Sequence, residues 1–448
     1  MLNILIAIIG IIFTILLIVG VHEFGHFLAA RACGIKVLRF SIGFGKSLLS
    51  WRDKKGTEFV LAAIPLGGYV KMLDEDEGNV KSEDLHLAYN RQPVYKKMIV
   101  VICGPLSNLI FAFFLYWVLF MVGFVTPIPL IGKVTPHSIA EQAGLKPQQE
   151  IISVDQRPTP TWLPVVVKIL SHTGDKDSIP LEVKDLATAQ TSSHSLDLTN
   201  WKMSDLNPDP LDSLGIVPYQ PVVPAIVGKV VLPQAVLKPG DKILSIDKQH
   251  IKDWYDVVKI VLVNPDKTLT FVIERQGEKI SLPVYISYKR DLLFKKYGFL
   301  GMSPQFEWPK NLLRTNQYGP IDALSYAWHD LEDFVDINLI VLGKMVSGKV
   351  SVKSLGGPIS IFESAGNAIK QGITAFMGFL AFLSISIGII NILPVPGLDG
   401  GHLLFQVIEI IIRRPLSQRL QMLLYRFGLI ILFLLITQAL VNDISRMM

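Results

Sequence analysis

An uncharged apolar run from Leu2 to Val21 passes without interruption into His22-Glu23-Phe24-Gly25-His26. About twenty such residues cross roughly 30 Å of hydrocarbon as a helix. No Lys or Arg precedes the run and no small-x-small cleavage site follows it, which predicts a retained helix rather than a signal peptide. Ionisable groups at the end of such a span are costly in lipid and need partners, so the motif is not the solvated face it would be on a soluble helix. On a helix the i, i+4 spacing puts both imidazoles on one side, where they can chelate one metal ion. Zinc lowers the pKa of a water it binds toward about 7, and Glu23 beside it can take that water's proton. This is the chemistry of peptide hydrolysis.

Three further apolar runs follow, from about Met98 to Val125, Ile373 to Leu393 and Leu423 to Val441, so four spans are expected. The 50% apolar and 18% charged composition fits a chain that is part membrane and part soluble. Basic residues collect between the first two spans, from Arg31 to Lys97, and between the last two, at Arg413, Arg414 and Arg419. The positive-inside rule makes both loops cytoplasmic. Both termini and the long middle segment then face the opposite side, the periplasm in a bacterium. A net charge of +5, with no basic helix stripe, argues against nucleic acid as a partner. Cys33 and Cys103 both lie beside or inside apolar segments, so the middle segment must fold without disulfides.

Catalytic zinc usually has three protein ligands plus water, so two histidines leave one to find. The third span ends in Asn391-Ile392-Leu393-Pro394-Val395-Pro396-Gly397-Leu398-Asp399-Gly400-Gly401-His402. Asp399 follows two helix-breaking prolines, and irregular backbone at membrane depth is tolerated only against protein or a wet cavity. Asp399 is therefore the expected third ligand, with His402 as the competing candidate.

The soluble middle contains a repeat. Ile131-Gly132-Lys133-Val134 matches Val227-Gly228-Lys229-Val230, and Leu145 to Asp155 matches Leu237 to Asp247. Each copy runs on to a tryptophan, Trp162 or Trp254, then an apolar helix-like stretch, and closes at Leu214-Gly215-Ile216 or Leu300-Gly301-Met302. Each resembles a PDZ domain of the permuted kind found in bacterial proteases. Such modules take an extended peptide against a strand edge. Without an identifiable carboxylate-binding loop, a bulky plug or spacer is an equally open reading. Residues 308–372 read as an amphipathic, mostly helical connector near the membrane surface.

HExxH in the first span with NxxPxPxLDGG in the third resembles the site-2 protease family of intramembrane metalloproteases, and the tandem insertion resembles its bacterial members. The resemblance implies an α-helical polytopic membrane domain of four transmembrane helices, a membrane-associated β-hairpin and two inserted mixed α/β PDZ domains. The expected boundaries are 1–125 and 373–448 for the membrane domain, 126–220 and 221–307 for the PDZ pair, and 308–372 for the connector. It implies that His22, His26 and Asp399 bind Zn2+ and that Glu23 is the base. A reentrant hairpin after the first span would hold an unwound substrate stretch, with Ile35 to Gly45 and Glu58 to Met72 as its strands. Gly43-Phe44-Gly45 matches the family's GxG, and Asn391 its substrate-contacting Asn; ordinary turn glycines and an amide that satisfies broken-helix carbonyls are the alternatives. The implied activity is a metalloendopeptidase of a bacterial inner membrane, with its site toward the cytoplasm and the PDZ pair in the periplasm. Its implied partners are the lipid bilayer, single-span substrates of the anti-sigma factor type in an envelope stress response, and remnant signal peptides. The PDZ pair would filter substrates by size.

Two rivals remain at this stage. A non-catalytic scaffold would hold a structural zinc, but such sites usually have four protein ligands and three present themselves. A metal transporter would string ionisable groups across the membrane, whereas here they cluster at one site.

Overall fold

The computed structural model describes residues 2–75, 80–202, 209–231, 236–290, 296–347, 356–414 and 416–447. Helix α1 (Leu2–Ala32) leads into strands β1 (Val37–Arg52) and β2 (Glu58–Met72), followed by α2 (Val94–Val122). The strand β3 (Phe124–Pro127) then opens the first repeat: β4 (Ile131–Val134), α3 (Ile139–Gln142), β5 (Gln149–Val154), β6 (Arg157–Pro158), α4 (Trp162–Ser171), β7 (Ser178–Asp185), β8 (Thr191–Asp197), α5 (Pro210–Leu214) and β9 (Ile216–Pro218). The second has β10 (Val227–Val230), β11 (Lys242–Ile246), β12 (Gln249–His250), α6 (Trp254–Leu262), β13 (Lys267–Arg275), β14 (Glu278–Arg290), β15 (Lys296–Phe299) and β16 (Met302–Pro304). The chain returns through β17 (Leu313–Asn316), which pairs with β3, to α7 (Pro320–Val346), α8 (Pro358–Gln371), α9 (Ile373–Ile392), α10 (Asp399–Ile412) and α11 (Gln418–Met447).

Four helices among the described residues are long and apolar enough to cross a membrane: Gly10–Ala32, Val94–Val122, Ile373–Ile392 and Arg419–Ser445. These are the four runs the hydropathy picked out. The last is mostly exposed along its length, and Gly428 abuts the Pro396 carbonyl so closely that an added Cβ would lie 1.8 Å from its oxygen. Its far end is tied by Asp443, whose carboxylate accepts from the backbone N–H groups of Gly357, Ile359 and Ser360 and so caps α8 from another helix.

The repeat is visible in strand order. The first sheet runs β6-β5-β7-β8 and the second β12-β11-β13-β14-β15, while β4 pairs with β9 as β10 pairs with β16. Each unit buries its own core, one around Ile131, Ile151, Val165 and Leu181, the other around Val227, Ile243, Val257 and Phe271. Burying each such side chain contributes about 1.5–3 kcal/mol. Matching turns are closed by matching bonds: Lys146 N–H donates to Gln149 Oε1 at 2.8 Å and Lys238 N–H to Asp241 Oδ2 at 2.7 Å. Trp162 and Trp254 each begin the helix of their unit.

The connector forms α7 and α8, with residues 348–355 outside the described ones. Ala323, Ala327 and Leu331 of α7 pack against Ala112, Tyr116 and Phe120, so this helix lies along the spanning helix α2. On its other side Arg157 of the first repeat bonds Asp333 at 2.7 Å and the His329 carbonyl at 3.0 Å.

The hairpin departs from the expected one. The sequence reading ended its first strand at Gly45, whereas β1 continues to Arg52. Gly43 and Gly45 both have left-handed φ, 92° and 86°, which turns the strand over without ending it. As a result Arg39–Ile42 is paired on both sides, with Gly68–Lys71 and with Glu58–Leu61. Residues 68–72 become an edge, and no other strand pairs with them among the described residues.

Candidate metal centre and active site

The site forms where α1, α2 and α10 meet. His22 and His26 lie one helical turn apart on α1, both largely buried. Asp399 is the first residue of α10, reached after α9 breaks at Pro394 and Pro396. The chain turns back so tightly there that a Cβ on Gly400 would lie 2.1 Å from the Ile392 carbonyl oxygen, which only glycine permits. This turn carries Asp399 to the histidines: its Oδ2 lies 3.0 Å from His22 Nε2 and 3.3 Å from His26 Nε2, and the two Nε2 atoms are 3.2 Å apart.

Three electron-pair donors thus converge. His26 Nδ1 lies 2.8 Å from the Val100 carbonyl, an acceptor, so this nitrogen carries the ring proton and leaves a lone pair on Nε2. That lone pair faces a carboxylate oxygen that has no hydrogen-bond partner of its own. Lone pairs about 3 Å apart repel unless a cation lies between them. Tetrahedral zinc with bonds near 2.0–2.1 Å has ligand edges of about 3.3 Å, which the triangle matches. Among the described residues this is the one cluster of three or more His, Cys, Asp or Glu that could hold a metal ion.

A cavity of about 590 Å³ opens on the triangle, lined by His22, Glu23, His26, Asp399 and His402 together with Gly68 to Met72 of β2. Gly68 is pressed against Glu23, since a Cβ there would stand 2.9 Å from Glu23 Cγ. The edge of β2 therefore runs beside the triangle and Glu23. His402 does not join the triangle; its Nδ1 is 2.8 Å from the Tyr425 hydroxyl. Gly43 and Gly45 lie at the turn of β1 and Asn391 in the last turn of α9, and none of the three lines this cavity.

Sequence reasoning missed the contribution of α2. Val100 orients His26, Asn108 Nδ2 lies 3.4 Å from His22 Nδ1, and Gly104 makes room between them. A Cβ on Gly104 would stand 2.2 Å from His26 Nε2, and one on Gly25 2.2 Å from the Cys103 carbonyl oxygen, so α1 and α2 cross at paired glycines. One signal was present: an asparagine inside an uncharged span, where a polar group needs a partner.

The model of peptidase family M50 matches residues 10–435. The Salmonella typhimurium regulator of sigma-E protease RseP is 40% identical over 452 residues, covering 100% of both chains. Its Escherichia coli K12 namesake is 40% identical over 435 residues, 96% of each. A Vibrio cholerae protein that bears a zinc metalloprotease name is 38% identical over 437 residues, again 96% of each. The chain is a membrane-embedded zinc metalloprotease and belongs to peptidase family M50, the site-2 proteases.

Proposed function

We propose that this chain hydrolyses peptide bonds within the transmembrane segments of single-span proteins, with His22, His26 and Asp399 as the zinc ligands and Glu23 as the general base. The observation that carries the reading is the edge of β2, to which no second strand is added among the described residues, lying beside the triangle of His22, His26 and Asp399. A substrate helix hides its carbonyls in its own hydrogen bonds and must be unwound before attack. An extended stretch laid along Gly68–Met72 exchanges those bonds for bonds to the strand edge and leaves one carbonyl in the cavity. Bound zinc supplies Lewis-acid activation of water and of the scissile carbonyl. Glu23 takes the proton of the attacking water and passes it to the leaving amine. Val100 keeps the His26 ring turned with Nε2 inward.

Gly43 and Gly45 act in this reading by folding β1 so that the β2 segment is left as the edge, and Asn391 by contacting substrate backbone at the end of α9. The two repeats are PDZ domains on the periplasmic side of a bacterial inner membrane, and the basic loops keep the site toward the cytoplasm. They restrict access to substrates already trimmed outside the membrane. Two relatives are named as regulators of sigma-E; the substrate in this reading is an anti-sigma factor of a stress response, and remnant signal peptides share its single-span chemistry. The test is cleavage of a single-span reporter in proteoliposomes, with the cut mapped by mass spectrometry. A cut inside the apolar segment, lost when a bulky folded domain is fused to the periplasmic end, supports the reading. Cuts confined to the flanking loops refute it.

A further inference from the structure

Asn108 is fully buried in the middle of α2, and its amide meets the outer nitrogen of His22. Nδ2 lies 3.4 Å from His22 Nδ1, while Oδ1 is buried with no partner among the described residues. The two ends of an amide are assigned from their bonding, so the chemistry decides between them. A neutral histidine that offers Nε2 to a metal carries its proton on Nδ1. An amide NH2 turned toward that N–H would set donor against donor. Rotated by half a turn, the amide presents its orphaned oxygen and the conflict disappears.

We propose that Asn108 is a positioning residue for the metal centre: its Oδ1 accepts from His22 Nδ1–H, fixing the tautomer and ring plane that point Nε2 at the zinc. The inference rests on His22 being a ligand. It makes α2 the common support of both histidines, since Val100 does for His26 with a backbone carbonyl what Asn108 does for His22 with a side chain. The eight-residue step from Val100 to Asn108 spans about 12 Å of helix, so the two supports engage different ligands without competing. Asn108 is itself held from the opposite side. Ser384 of α9 donates to its backbone carbonyl at 2.9 Å, and a Cβ on Gly388 would come within 3.4 Å of its Cβ. A side chain wedged between α1 and α9 has little freedom to turn, which is what an orienting partner requires.

The test measures zinc affinity of the full-length protein in detergent by competition with a chromophoric chelator, alongside thermal unfolding and reporter cleavage. Asn108→Leu keeps the branched shape, with bulkier ends, and removes the acceptor; Asn108→Asp keeps an acceptor and removes the NH2. Leucine is expected to weaken zinc binding 10- to 100-fold, the range found when such partners are removed, and aspartate to stay within about threefold of wild type. Equal losses in both variants, or wild-type affinity in Asn108→Leu, overturn the proposal. Should Asn108→Leu not fold, Asn108→Ala takes its place, because it adds no bulk. His22→Ala is the control for the underlying reading: wild-type zinc affinity there would remove His22 from the ligand set, a failure distinct from that of Asn108.

Discussion

Gly104→Ala adds one methyl group to α2, a substitution that ordinarily stabilises a helix by about 0.5–1 kcal/mol. Here the new Cβ would stand 2.2 Å from His26 Nε2, 2.4 Å from Cε1 and 2.9 Å from Cδ2. Ordinary contact between such atoms is about 3.5 Å, so the imidazole must retreat by more than 1 Å or α1 must move away from α2. Neither is cheap. The ring is fixed on its other side by Val100, and Gly25 already meets Cys103 and Ser107 at the same crossing. A displacement of about 1 Å in a catalytic group costs on the order of 10²-fold in rate, or about 2.7 kcal/mol. Zinc ligands tolerate only about 0.2 Å. The variant should therefore lose at least 100-fold in kcat/KM on a single-span reporter and most of its zinc, while its far-UV dichroism stays that of wild type. Stoichiometric zinc with normal turnover would mean that His26 does not hold the metal from the position described.

Three other expectations follow from the same packing. Asp399→Asn replaces the charged corner of the triangle by a weaker ligand and should lose most zinc and activity; full zinc content with wild-type turnover would remove Asp399 from the site. Asp443→Ala strips the cap from α8 and should cost about 2 kcal/mol locally, seen as roughly 30-fold faster hydrogen exchange at Gly357, Ile359 and Ser360; unchanged exchange would refute the tie. Burial pushes Asp330 up to about 7 and Asp333 up to about 6 in the seam between α7 and the first repeat. The folded state then keeps protons that the unfolded chain releases near pH 4, so the seam loses stability as pH rises from about 4 to about 7. Exchange of α4 and α7 amides, corrected for intrinsic rates, should be faster at pH 8 than at pH 5; equal or slower exchange contradicts this.

Much of the fold was legible in the sequence because long apolar runs leave a helix few alternatives and the repeated motifs return as two units of matching strand order. That Asp399 comes to His22 and His26 could be anticipated by asking which acidic residue an apolar setting would otherwise forbid. The turn of β1 was less legible. Gly43 and Gly45 look like the end of a strand, and only the register reveals that Arg39–Ile42 is paired on both sides. The part played by α2 was hidden for a physical reason. Val100 acts through its backbone, which any residue supplies, and Gly104 acts by what it lacks, so neither leaves a chemical signature. Asn108 did leave one, a lone amide in an apolar span, but its partner lies 86 positions away on another helix.

In the proposed mechanism Glu23 is the base of a zinc peptidase whose metal it does not itself hold. Zinc content and cleavage of a single-span reporter should be measured together for wild type and Glu23→Gln in detergent. About one zinc in each, with cleavage by wild type alone, is expected; equal cleavage by both would mean that Glu23 is not the base.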